Sequence, residues 1–176
     1  MICKIETTQS MDDLLADSRH YVSKCFLKEA RSKGLNLIDE NVVIFSHESM
    51  TTVAAPFVVD GKELNKNQSL FYLYFKGPTE ADLEDGFYTI QGNLNKSGID
   101  GKNLVMLNSE GKMVQQLELE PVEEVDGPND SYNRNAIRVT DKHVKITKKG
   151  AVRGKISGTD QGRPFVIRWR IKAPKS

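Results

Sequence analysis

Cysteine is scarce in this sequence, and long apolar runs are missing. Its 176 residues include two cysteines, Cys3 and Cys25. Two thiols in a chain of this size allow one disulfide but are more typical of a reduced protein. No stretch approaches the roughly 18 apolar residues of a membrane-spanning helix, so we expect no membrane association. The first residues contain neither a basic segment nor a long apolar one, which predicts a cytoplasmic protein without a secretory signal.

Catalytic and metal-binding motifs are also absent. The sequence contains no H-E-x-x-H, C-x-x-C, G-x-S-x-G or G-x-x-x-x-G-K-[ST] pattern, which removes the usual signatures of zinc sites, hydrolases and P-loop proteins. We therefore expect no metal, no cofactor and no enzyme activity. An enzyme would need a site assembled from scattered titratable residues, for which the candidates are Tyr72, Tyr74, His47 and His143.

One amphipathic helix is predicted over residues 10–34, with its regular turns from about Met11 to Lys33. Ser10 is a suitable N-cap, and Gly34 is a suitable residue for the turn that ends the helix. Apolar residues recur at helical spacing, which predicts one stripe that packs against the rest of the domain or a second copy of the chain. The members of this stripe are Met11, Leu14, Leu15, Val22, Cys25 and Phe26.

Residues 41–172 carry the pattern of short β-strands separated by turns. Asp60-Gly61 predicts a hairpin after a strand at about 52–59. The last third is interpreted as strands at about 136–140, 143–148, 151–157 and 164–172, with a turn near Asp141-Lys142. Because short connections force neighbouring strands to run antiparallel, we expect an antiparallel meander or Greek key.

The stretch Leu70-Phe71-Tyr72-Leu73-Tyr74-Phe75 has no polar interruption. In a strand, Leu70, Tyr72 and Tyr74 would point to one face and the other three residues to the opposite face. Both faces are apolar, so we predict a strand that is covered on each side, on one of them by the N-terminal helix.

The predicted fold class is therefore mainly β, or α+β. We expect a single domain spanning residues 1–176, in which one long N-terminal helix packs on an antiparallel sheet of about eight strands. A sheet of that size must curve, and we predict a barrel-like or strongly curved sheet in preference to a sandwich.

Charge is sorted along the chain. Residues 131–176 contain 13 Lys and Arg and 2 Asp and Glu, a net of +11, whereas the other 130 residues carry 12 basic and 22 acidic residues, a net of −10. In the segment 165–172, strand alternation places Phe165, Ile167, Trp169 and Ile171 on one face and cations on the other. The simplest interpretation is that basic strands pair with acidic ones such as 116–120. Head-to-tail self-association is an alternative.

Three functional hypotheses follow. The leading one is a non-enzymatic binding or interaction module on a β scaffold, with Tyr72, Tyr74 and Trp169 as candidate contacts for a small apolar ligand. The second is binding of a polyanion, with nucleic acid ranked behind a small ligand and self-association. The third is an enzyme without a recognisable motif. The candidate polyanion contacts are Lys155, Arg163, Arg168, Arg170 and Lys172.

Overall fold

The computed structural model describes residues 11–47, 50–59, 61–77, 83–95, 98–120, 135–146 and 152–171. Its single described α-helix, α1, spans Met11–Ser32, in agreement with the predicted N-terminal helix. The predicted N-cap Ser10 and Cys3 lie outside the described residues. Among the described residues, no helix combines the length and the apolar character that crossing a membrane requires.

Helix α1 ends as the sequence predicts. Gly34 adopts a left-handed conformation with φ of 71°, which a glycine reaches at no steric cost. The Leu35 amide donates to the Ala30 carbonyl at 2.9 Å, and the Gly34 amide donates to the Arg31 carbonyl at 3.0 Å. These two bonds form a Schellman motif, which satisfies carbonyls that the helix end would otherwise leave open.

Eleven strands are described, and all their pairings are antiparallel. A seven-stranded sheet has the order β1-β2-β3-β4-β6-β7, with β5 paired to β4, and a four-stranded sheet has the order β8-β11-β10-β9. The strands are β1 Val43–His47, β2 Met50–Pro56, β3 Asn67–Lys76, β4 Gly86–Asn95, β5 Gly98–Ile99, β6 Val105–Asn108, β7 Met113–Gln116, β8 Glu118–Glu120, β9 Ile137–Ile146, β10 Val152–Asp160 and β11 Arg163–Ile171.

The mainly β prediction is confirmed, but the described strands form no closed barrel. Strands β7 and β8 follow each other directly in the chain, separated only by the buried residue Leu117. The chain thus passes from the seven-stranded sheet to the four-stranded sheet at this corner. At the other end, β1 and β9 are connected by side chains: Asn41, just before β1, lies beside the Ile137 and Val139 backbone of β9.

Strand β3 lies between two apolar layers. Phe71, Leu73 and Phe75 belong to a core shared with the four-stranded sheet, where the Phe71 and Phe165 ring centroids are 5.7 Å apart. Tyr72 faces helix α1, with its ring centroid 5.3 Å from that of Phe26. The predicted two-faced strand is therefore confirmed, and the protein has three layers: helix, seven-stranded sheet and four-stranded sheet.

The alternation of β3 departs from the prediction at Leu70. The register with β4 shifts between Ser69 and Phe71, so Leu70 occupies a β-bulge. A bulge inserts one residue into a strand and reverses the faces on one side of it. As a result, Leu70 joins Phe71 in the core between the sheets and does not lie on the Tyr72 face.

Two predicted turns also differ in the structure. The region 136–148 was expected to contain two strands, but β9 runs from Ile137 through Ile146, and the polar pair Asp141-Lys142 follows a bulge within it. The connection between β2 and β3 is longer than a two-residue hairpin and includes the short 3₁₀ helix Gly61–Glu63. In both places polar residues produce the sequence pattern of a turn. The chain does turn between β2 and β3, but it continues as strand β9 through Asp141-Lys142.

The alternation predicted for β11 is confirmed, and it requires a glycine on the neighbouring strand. Trp169 is buried and lies opposite Gly154 of β10. A Cβ atom at Gly154 would be 2.2 Å from Cζ2 of Trp169, so the absence of a side chain makes room for the indole.

We expect Gly154→Ala to displace Trp169 and to lower the free energy of unfolding by about 1–3 kcal/mol, as overpacking in a filled core does. Because the chain contains a single tryptophan, its emission spectrum reports the displacement during urea unfolding. Gly101→Ala is the control, since its nearest side-chain atom is 3.2 Å from the added Cβ. Equal stability of the two variants would show that the indole relocates at no cost.

Candidate functional site

The outer face of the seven-stranded sheet is covered unevenly. Helix α1 packs Phe26 and Ala30 against β2 and β3, where Val53, Ala55 and Tyr72 are buried beneath it. On β4 and β6, by contrast, the outward residues remain partly open to solvent. The helix contacts β4 at Phe87, whose ring centroid is 6.4 Å from that of Phe26, and a concave surface remains beside the last turn of the helix.

Aromatic side chains form the floor of this surface. The rings of Tyr72 and Phe87 are stacked, with centroids 5.3 Å apart and an interplanar angle of 9°. Tyr74 approaches the same Phe87 ring at 5.1 Å, and Phe57 meets Tyr72 edge-on at 6.2 Å. Each such contact adds about 0.5–1.5 kcal/mol beyond the burial of area.

Lys33 lies over this aromatic floor. Its Nζ atom donates to the Tyr72 hydroxyl at 3.3 Å and lies 4.6 Å from the Phe87 ring centroid. Glu29, one helical turn earlier, holds the same ammonium group at 3.2 Å. Burial by itself lowers the pKa of Lys33, but the contacts with Tyr72 and Glu29 outweigh that effect and raise it above its ordinary value.

Burial has the opposite consequence for the tyrosine. It raises the pKa of the Tyr72 phenol, and the nearby Lys33 ammonium offsets part of that rise. Both groups are therefore in their ordinary neutral-pH forms, a protonated phenol and a cationic amine. The pair presents hydrogen-bond donors above an apolar floor, and its positive charge is shared with the Glu29 carboxylate.

We call the concave surface the Tyr72 groove. It has a volume of about 250 Å³ and combines an apolar floor with a rim of hydroxyl and amide side chains. Such a combination is typical of sites that hold small molecules, where a few polar groups fix the orientation of an apolar body. The groove is lined by Lys33, Leu35, Phe57, Ser69, Tyr72, Phe87, Thr89, Gln91, Leu107, Asn108, Ser109 and Gly111.

The three residues predicted to contact a small ligand do not share one site. Tyr72 lies in the groove floor, and Tyr74 contacts the same Phe87 ring. Trp169 lies in the core between the two sheets, on the other side of the seven-stranded sheet. That core is filled by side chains, with Phe71, Ile90, Ile156 and others fully buried.

The candidates for an enzyme site are also dispersed. His47 ends β1 and His143 lies in β9, so the two belong to different sheets. Tyr72 and Tyr74 are on β3. The side chains of the two histidines lie outside the described residues, and the enzyme hypothesis gains no geometric support.

The described polyanion candidates lie on the four-stranded sheet, where Arg168 and Lys155 contact acidic side chains. Arg168 Nε donates to Glu120 Oε2 at 2.8 Å, across the junction of β11 and β8. Lys155 Nζ is 3.9 Å from Asp141 Oδ2 on β9. These contacts are the pairing of basic and acidic strands that the charge distribution predicts. Arg163 and Arg170 lie at opposite ends of β11, and Lys172 is outside the described residues.

A buried lysine was missed by the sequence interpretation. Lys142 is only 2% exposed and points between the sheets, where its Nζ atom donates to the Val43 carbonyl at 3.1 Å and to the Thr52 carbonyl. Burial lowers its pKa to about 7, and Asp141 opposes that shift. A neutral amine has two N–H groups, which match these two carbonyl acceptors.

Comparison with known proteins finds no matching family model, no similar curated protein and no similar solved structure.

The pKa of Lys142 has a consequence for stability. Between pH 7 and 10.5 the unfolded chain retains a proton that folded Lys142 has released, because the ordinary pKa is 10.5 and the folded one is about 7. The free energy of unfolding should therefore rise with pH in this range, by up to about 1.4 kcal/mol per pH unit from this group. Below pH 7 the contribution of Lys142 is constant.

We expect Lys142→Met to lack this increase, so its stability relative to the wild type should fall steadily as pH rises from 7 to 10. Urea unfolding at several pH values measures the difference. Lys155→Met is the matched control, since Lys155 lies on the neighbouring strand β10 and its side chain is partly exposed. Parallel pH profiles for the wild type and Lys142→Met would contradict the shifted pKa.

Proposed function

We propose that this protein is a non-enzymatic binding module and that its ligand is a small, largely apolar molecule with one acidic group, held in the Tyr72 groove. The observation that carries the proposal is the Lys33 ammonium above the stacked Tyr72 and Phe87 rings. An apolar, planar body fits the aromatic floor, and an acidic group complements Lys33, the one cation among the described residues that line the groove.

The strength of this recognition depends on Lys33. A hydrogen bond with a charged partner contributes about 1.5–3 kcal/mol, and Lys33 is already oriented by Glu29 and Tyr72. Preorganisation of this kind reduces the entropy that a ligand loses on binding. The rim residues Ser69, Thr89, Gln91 and Asn108 supply further hydrogen bonds to either end of the ligand.

The groove supports binding in preference to catalysis. Its titratable side chains are Lys33 and Tyr72, and both have pKa values above their ordinary ones. Neither is therefore an effective general base near neutral pH, because efficient proton transfer requires a pKa near the operating pH.

We expect benzoate, salicylate and indole-3-acetate to bind at submillimolar concentration and to perturb the amide resonances of β3, β4 and β6. Thr89→Phe should weaken binding at least about tenfold, because Thr89 lies between Tyr72 and Leu107 and a phenyl ring there fills the groove. NMR titration measures both effects. Thr159→Phe, a matched change on an outward position of β10, should leave affinity unchanged.

A second variant tests the acidic group. Lys33→Met retains the apolar stem of the side chain and should weaken benzoate about tenfold, the equivalent of one charge-assisted hydrogen bond, while leaving the neutral analogue benzamide unaffected. The proposal is wrong if none of the probes perturbs the groove strands, or if Thr89→Phe and Thr159→Phe bind them equally well.

A further inference from the structure

The outer face of the four-stranded sheet carries charge in ordered rows. Because β9, β10 and β11 are in register, residues on the same face line up across the strands. One outward row consists of Asp141, Ser157, Val166 and Glu120, and the next includes Lys155, Arg168 and Glu118. The third outward row contains Arg153 and Arg170, which pair across β10 and β11.

The first two rows are close to electrical balance. Glu120 accepts from Arg168, and Asp141 lies near Lys155. Strand β8 supplies both glutamates, but it pairs with β11 only alongside Val166, Ile167 and Arg168. No acidic residue of β8 therefore reaches the third row.

Among the side chains that the structure describes, the third row, which we call the basic row, consists of Arg153 and Arg170. Arg153 and Arg170 are direct partners across β10 and β11, and both side chains are exposed. Lys145 is the register partner of Arg153 on β9. Like charges directly opposite each other destabilise a sheet, so an anion bound at this row would relieve a repulsion that the fold itself leaves in place.

We propose that the basic row binds the phosphodiester backbone of a nucleic acid without reading its sequence. Guanidinium groups bind phosphate oxygens through two parallel hydrogen bonds, which makes a pair of adjacent arginines well suited to this anion. Adjacent strands are about 4.8 Å apart, so the row presents two arginines one strand spacing from each other. A duplex, with one charge per about 1.7 Å of axis, supplies a phosphate for each of them.

Other anions match the row less well. Acidic residues on one face of an extended peptide recur only about every 6.8 Å, which is wider than the strand spacing. A single phosphate would need an enclosing pocket, whereas these arginines are exposed on a flat sheet. Base stacking is excluded from the contact, because Trp169 is buried on the opposite face of β11. Recognition therefore depends on the backbone charges.

This surface is independent of the Tyr72 groove. The groove lies on the outer face of the seven-stranded sheet, beside the helix, while the basic row lies on the outer face of the other sheet. The two sites occupy opposite outer faces of the layered structure, so the failure of one proposal leaves the other intact.

Fluorescence anisotropy with a labelled DNA duplex of about 20 base pairs, at about 20 mM salt, tests the inference. We expect micromolar binding by the wild type. The double variant Arg153→Gln/Arg170→Gln should weaken it at least about tenfold and reduce the slope of log Kd against log salt by about 2. The matched control Lys155→Gln/Arg168→Gln removes the same charge from the adjacent, paired row and should change Kd by less than about threefold.

Equal losses in the two double variants would overturn the proposal, since they would mean that net charge alone governs binding. Absence of binding by the folded wild type at low salt would overturn it as well. Displacement of the duplex by polyglutamate at the same charge concentration would identify an acidic protein segment as the better occupant. A thermal melt of each variant, in which Arg153→Gln/Arg170→Gln keeps or raises the wild-type midpoint, establishes that the fold is intact.

Discussion

The burial of β3 on both faces is the constraint on which the rest of the structure depends. A strand in which Tyr72 points to one layer and Phe71 to the other cannot lie at the surface of a two-layer protein. Burial of one such aromatic side chain stabilises a fold by about 1.5–3 kcal/mol. The helix covers one face of β3, and the four-stranded sheet covers the other. The Tyr72 groove lies beside the helix, and the basic row lies on the outer face of the four-stranded sheet.

Sequence reasoning succeeded where a local pattern has one physical solution. Gly34 ends α1 because a left-handed residue is needed there, and the alternation of Phe165, Ile167 and Trp169 fixes the buried face of β11. It was wrong about Asp141-Lys142, because a polar pair is typical of a turn. The bulge in β9 instead carries Lys142 to an inward position, and two carbonyls of the other sheet accept its hydrogen bonds.

The features that could not be predicted from the sequence depend on contacts between residues that are far apart in the chain. Whether the sheets close into a barrel depends on how the chain turns at Leu117 and on the distance between β1 and β9. Neither can be predicted from the local amino-acid composition. The Tyr72 groove likewise forms where the last turn of α1, the floor residues of β3 and β4 and the end of β6 meet. Tyr72 was recognisable from its strand, but Lys33 and Phe87 had no signal of their own, since their significance arises only when three separate elements meet.

The register of the strands in the four-stranded sheet gives different surroundings to basic residues that look alike in the sequence. The sequence groups Lys155, Arg168 and Arg170 into a single basic segment, yet two of them have acidic partners and the third faces Arg153. A displacement of β8 by two residues along β11 would bring a glutamate opposite Arg170 and balance the third row. The length and register of one three-residue strand therefore determine which arginine of β11 lies beside a glutamate.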